Sequence, residues 1–123
     1  MSDEREPAVA SSVHGNAFVV TVSGDIDGDS APPLVEELAA GLLAGTPRTV
    51  VDLSETTFAD SAILHALLEA RQAHRAHGLL LVLAGPFGES VERLFDVTGT
   101  AGYFVLAENV FTAVEVPRAV TDR

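Results

Sequence analysis

The feature that most constrains this chain is a change of apolar spacing between Thr49 and Ala73. Thr49-Val50-Val51-Asp52-Leu53 is mostly apolar and β-branched, the composition of a strand covered on both faces. From Ile63 the spacing becomes helical, with Ile63, Leu64, Leu67, Leu68, Ala70 and Ala73 falling on one side. Ser54 to Asp60 between them reads as a short polar loop. Asp60-Ser61 is the junction, and either residue can cap the helix, because each has a short side-chain oxygen able to accept from the free N–H groups of the first turn. A strand followed directly by an amphipathic helix must share a core with other such units, so the chain has to build layers.

The flanking segments repeat this alternation. Val9 to His14 and Ala17 to Ser23 read as strands joined at His14-Gly15-Asn16, a hairpin signal. Gly24 to Ser30 reads as a polar loop, with Asp29 or Ser30 capping the next helix and Pro32 or Pro33 in its first turn. Leu34 to Leu43 reads as that helix, with Leu34, Val35, Leu38, Leu42 and Leu43 on its apolar face, and Gly45-Thr46-Pro47 stops it. The central helix ends at Gly78. Leu79 to Ala84 is a second buried-strand run, Glu89 to Val97 a short helix, Tyr103 to Leu106 a last strand and Val110 to Val116 a short helix ended by Pro117. Alternating strands and helices imply a partly parallel sheet. The expected fold is α/β, a small mixed β-sheet of about five strands with helices packed against it. The domain is expected to occupy residues 8–117, with flexible tails at 1–7 and 118–123.

Composition narrows the function classes. The chain has 123 residues, room for one domain. It has no cysteine, hence no disulfide or thiolate site. Its net charge is −11 and its basic residues are all arginine, which argues against nucleic acid and fits a partner with a basic surface. No apolar run is long enough to cross a membrane. The acidic start, Met1 to Pro7, is unlike a signal peptide, so the expected location is cytoplasmic.

Candidate sites are few. Asp25, Asp27 and Asp60 follow strands and could converge on one rim. Three carboxylates there could hold magnesium, as in a receiver domain, but receivers also need a lysine and the chain has none. His74 and His77 lie one helical turn apart without a third ligand, and read as a solvated helix end. No phosphate loop, nucleophile elbow or dinucleotide fingerprint is present, so no enzyme activity and no cofactor are expected.

Asp52-Leu53-Ser54, then Phe58-Ala59-Asp60-Ser61 and an apolar helix, resemble the signature of the STAS domain, the anti-sigma factor antagonist fold. Gly24-Asp25-Ile26-Asp27 is similar to the turn before that family's first helix. Gly78 to Gly85 is similar to its fourth strand, and Val91, Leu94, Phe95, Thr98 and Gly99 to its third helix and following turn. The resemblance covers roughly Val9 to Val116. It implies phosphorylation at Ser61 by a partner kinase. It also implies a partner surface of Asp25, Asp27, Thr57, Asp60, Ser61 and His65, and a role as an anti-sigma factor antagonist that regulates transcription indirectly. The implied partners are an anti-sigma factor or serine kinase, and a phosphoserine phosphatase, with no direct nucleic-acid contact and no membrane insertion. Where phosphorylated members continue with Ser or Thr and then Gly, this chain has Ala62 and Ile63. A glycine would let a partner backbone approach closely, and Ile63 removes that. The alternatives are a non-phosphorylated STAS scaffold or transporter-associated subunit and, from another class, a small-molecule or nucleotide-binding module at the strand ends.

Overall fold

The structure is a computed structural model that describes residues 6–117. The flexible tails expected from sequence fall largely on residues 1–5 and 118–123, which lie outside the described residues. Five strands form one sheet in sequential order: β1 (Ala8–His14), β2 (Ala17–Ile26), β3 (Arg48–Ala59), β4 (Leu80–Ala84) and β5 (Val105–Ala107). β1 and β2 pair antiparallel through a two-residue turn opened by Gly15 at φ 60°, which glycine adopts without steric cost. The β2–β3, β3–β4 and β4–β5 pairs are parallel, each joined by a crossover that contains a helix. The helices are α1 (Ala31–Leu42), α2 (Ser61–Ala76), α3 (Glu89–Thr98) and α4 (Val110–Ala113).

Strand alternation sorts the core into two layers. Phe18, Val20, Val22, Val51, Leu53, Leu81 and Leu83 point to one face, where they meet Leu34 and Leu38 of α1, Ile63 and Leu67 of α2, and Val91 and Phe95 of α3. Ala17, Val19, Val50, Leu80 and Val82 point to the other, where α4 covers them through Val110 and Ala113. Burying a side chain the size of Ile63 or Leu67 stabilises the fold by roughly 1.5–3 kcal/mol. Arg48 is buried at the start of β3 and donates from Nη1 to the Ala113 carbonyl at 2.8 Å, placing a cation at the C-terminal end of α4.

Several elements depart from the sequence reading, each through tertiary context. Ser54 to Asp60 is not a loop. β3 continues to Ala59, and its pairing with β2 slips between Thr21 and Ser23 and again between Gly24 and Asp25. At each slip β3 carries one extra residue, which rotates the following side chains. Burial therefore falls on Leu53, Thr56 and Ala59, a spacing of three that no strand pattern anticipates. The Gly24–Ser30 loop is also ordered: β2 reaches Ile26 and a 3-10 turn follows at Gly28–Ser30. Leu79 is half-buried because β4 begins at Leu80. Val35 and Leu43, expected inward, are exposed. β5 starts late because Ala101–Tyr103 coil into a 3-10 turn. α4 is short because its hydrogen bonds tighten from Val114→Val110 to Glu115→Thr112 and Val116→Ala113.

His74 is the largest correction. It does not sit on a solvated helix end but is fully buried, its ring held at both nitrogens. Nδ1 is 2.8 Å from the Ala70 carbonyl and must donate to it, which leaves Nε2 to accept from the Thr49 hydroxyl, also at 2.8 Å. Neither nitrogen keeps a free lone pair for a metal. His77 is exposed.

Candidate functional site at the start of helix α2

The candidate site lies where β2 and β3 end and α2 begins, at the carboxyl ends of adjacent parallel strands. Asp60 is the helix cap. Its Oδ1 accepts from the backbone N–H groups of Ala62 at 3.0 Å and Ile63 at 3.3 Å, two of the donors that a helix start leaves unpaired. Its Oδ2 accepts from the Gly28 N–H at 3.2 Å. One carboxylate therefore ties the first turn of α2 to the 3-10 turn after β2.

That turn has its own cap. Asp27 Oδ1 accepts from the N–H groups of Asp29 at 3.1 Å and Ser30 at 3.2 Å, while the Asp27 N–H donates to Ser30 Oγ at 2.8 Å. Ser30, expected to cap α1, makes no side-chain capping bond there because its hydroxyl is committed to Asp27. Asp25, at the end of β2, accepts a short hydrogen bond from the Thr57 hydroxyl on β3. Beneath them Thr56 is buried and donates from its hydroxyl to the Val22 carbonyl at 2.8 Å.

The structure thus links Asp25 to Thr57 directly and Asp60 to the turn that Asp27 caps. Ser61 is the first residue of α2, is exposed, and its hydroxyl makes no hydrogen bond to a described residue. His65 lies one turn further along and pairs with Glu69 at 2.9 Å, both well exposed. It shares the outer ridge with Ser61 but makes no hydrogen bond or ion pair with Asp25, Asp27 or Asp60. Ile63, on the apolar side of the helix, is 1% exposed and belongs to the core, so its side chain does not project onto the surface beside Ser61. Two further participants lie in the segments expected to form the surface but were not singled out in them. The Gly28 N–H is positioned by a contact over 32 residues that no local pattern reveals. Phe58 is 45% exposed at the rim, and its signal is an aromatic residue in an otherwise polar run.

No group of three His, Cys, Asp or Glu able to hold a metal occurs among the described residues, and no helix among them is long and apolar enough to cross a membrane. The aspartates of the site are consumed in caps and a hydroxyl contact, which orders the rim and leaves a serine standing free on it.

Comparison with known proteins places this arrangement. A search of curated proteins finds no significant match. Among solved structures, an anti-sigma factor antagonist from Mycobacterium paratuberculosis is 25% identical, with a TM-score of 0.81 over 94% of this chain and 97% of that one. The anti-sigma factor antagonist SpoIIAA in its unphosphorylated form, 14% identical, gives a TM-score of 0.74 over 88% of this chain and 94% of that one. SpoIIAA from Bacillus in its phosphorylated form, also 14% identical, gives 0.68 over 88% and 97%. At that identity the SpoIIAA structures show the shared fold. The family described as Mlab, STAS domain, matches residues 9–108, and with the sequential mixed sheet and the Asp60-capped α2 this makes the chain a member of the STAS domain family.

Proposed function

We propose that this protein is an anti-sigma factor antagonist, a binding regulator without catalytic activity, switched by phosphorylation of Ser61. The observation that carries the reading is the division of labour at the start of α2. Asp60 does the capping, so the Ser61 hydroxyl is exposed and has no structural duty to lose. The helix N-terminus offers the positive end of the dipole, so a phosphate on Ser61 leaves the fold intact. The same phosphate adds about two negative charges to the rim that carries Asp25, Asp27 and Asp60, three residues after exposed Phe58. A partner that docks an apolar and basic surface here loses both fit and charge balance. The partner is an anti-sigma factor with serine kinase activity, a phosphoserine phosphatase reverses the mark, and the setting is the cytoplasm. The burial of Ile63 supports the phosphorylated reading over the passive scaffold, since the departure from the family's glycine is turned inward.

The test compares wild type with Ser61→Asp. The expected result is unchanged folding and partner binding weakened more than tenfold, which is about 1.4 kcal/mol. Equal affinity for the cognate anti-sigma factor, together with no labelling of Ser61 by any kinase of the same cell, would overturn the switch.

A further inference from the structure

A second cleft lies at the opposite pole of the molecule, where β4 and β5 begin and α2 ends. It encloses about 410 Å³, within the range of small-molecule sites. Arg71 and Arg75 of α2 form one wall; Leu79, Tyr103, Phe104 and Leu106 contribute the others. The chain carries 18 acidic residues, yet among the described residues no acidic side chain lines this cleft. Arg71 and Arg75 are four residues apart, so they face the same side of the helix and repel each other. Neither makes a salt bridge with a described residue. The dipole at the end of α2 accounts for Arg75, which lies in the last turn, but not for Arg71, which precedes that turn and is half-buried. Two guanidinium groups with no counter-charge among the described residues, in a protein of net charge −11, form a local site for an anion. The facing apolar and aromatic wall, with Tyr103 58% exposed, suits an organic body better than water.

We propose that this cleft binds a small organic anion, a phosphate or carboxylate group carried on an apolar or aromatic body, with Arg71 and Arg75 holding the oxyanion and Tyr103 and Leu106 covering the body. The site is separate from the Ser61 rim. Arg75 lies about 21 Å from Ser61 along the axis of α2, at 1.5 Å per residue. It also lies at the amino ends of the strands, away from the carboxyl ends where ligands of open α/β sheets usually sit.

The experiment is a ¹H–¹⁵N NMR titration of the full chain with phenyl phosphate, benzoate and inorganic phosphate. Phenyl phosphate is expected to give saturable shifts at the amides of Leu79 to Leu81 and Gly102 to Leu106, and to bind at least about tenfold more tightly than inorganic phosphate. Benzoate as tight as phenyl phosphate assigns a carboxylate ligand; weaker benzoate assigns a phosphate. The double variant R71Q/R75Q is expected to lose at least about tenfold in affinity. R75Q alone, at an exposed position, gives the same readout at smaller amplitude should the double variant unfold, and R93Q on α3 leaves binding unchanged. Three results would overturn the proposal: no saturable shift in the wild type at ~10 mM phenyl phosphate, binding retained in the arginine variants, or inorganic phosphate binding as tightly as phenyl phosphate.

Discussion

Replacing Asp60 tests the foundation of the functional reading, because the argument for Ser61 requires that the aspartate holds the helix. In Asp60→Ala three hydrogen bonds disappear: those from the Ala62 and Ile63 N–H groups to Oδ1 and that from the Gly28 N–H to Oδ2. Loss of an N-cap of this kind costs about 0.5–2 kcal/mol. Loss of the link to Gly28 adds about 0.5–1.5 kcal/mol, the range of an ordinary hydrogen bond, because water reaching the half-buried site offsets the gain from a charged acceptor. The expected total is roughly 1–3.5 kcal/mol, which lowers Tm by about 3–14 °C for a domain of this size. Asp60→Asn keeps one acceptor for the cap but presents an amide to Gly28 if it does so, and should fall between wild type and alanine. Ser61→Ala removes no hydrogen bond to a described residue and should stay within about 0.5 kcal/mol. Urea unfolding of the four proteins, followed by far-ultraviolet circular dichroism, measures all of this. A Ser61→Ala cost equal to that of Asp60→Ala would refute the reasoning, since the serine would then be the cap.

Two further outcomes follow from the buried Thr49–His74 pair. Desolvation by burial lowers the His74 pKa from 6.5, the Ala70 carbonyl acts in the opposite direction, and the charge of His77 lowers it further. The native state therefore binds fewer protons than the unfolded chain below pH 6.5, so stability is full above that value and declines as pH falls toward the folded pKa. The decline between pH 7 and 5.5 should be shallower in His74→Gln than in wild type; identical slopes in denaturant midpoint would refute this. Gly41→Ala would place a Cβ 2.4 Å from Thr49 Oγ1 and 3.3 Å from the Phe18 ring, and Thr49 cannot rotate away without releasing His74. Overpacking of about 1–3 kcal/mol outweighs the helix-propensity gain of about 1 kcal/mol, so the denaturant midpoint should fall; a rise would show that the space can open.

What the sequence determined by itself was what depends on near neighbours. The runs Val50–Leu53 and Leu80–Ala84 announce buried strands, and Ile63 to Ala73 announces an amphipathic helix, because side-chain period is a local property of the backbone. The same locality made Asp60 and Ser61 visible as candidates at the start of α2, and the order of segments was enough for the family resemblance. Which of the two caps the helix was decided by tertiary structure, since the choice depends on Gly28, which is 32 residues away. The second half of β3 was illegible for a related reason. Its slips in register against β2 move burial onto Leu53, Thr56 and Ala59, and a bulge is a relation between two strands with no periodicity of its own. His74 read as a polar helix end until the fold brought Thr49 to its ring, across 25 residues, and made a buried imidazole affordable by satisfying both nitrogens. The cleft at Arg71 and Arg75 belongs to the same class: two residues of one helix supply its charge, but its other wall comes from the start of β5, and only the sheet brings the two together.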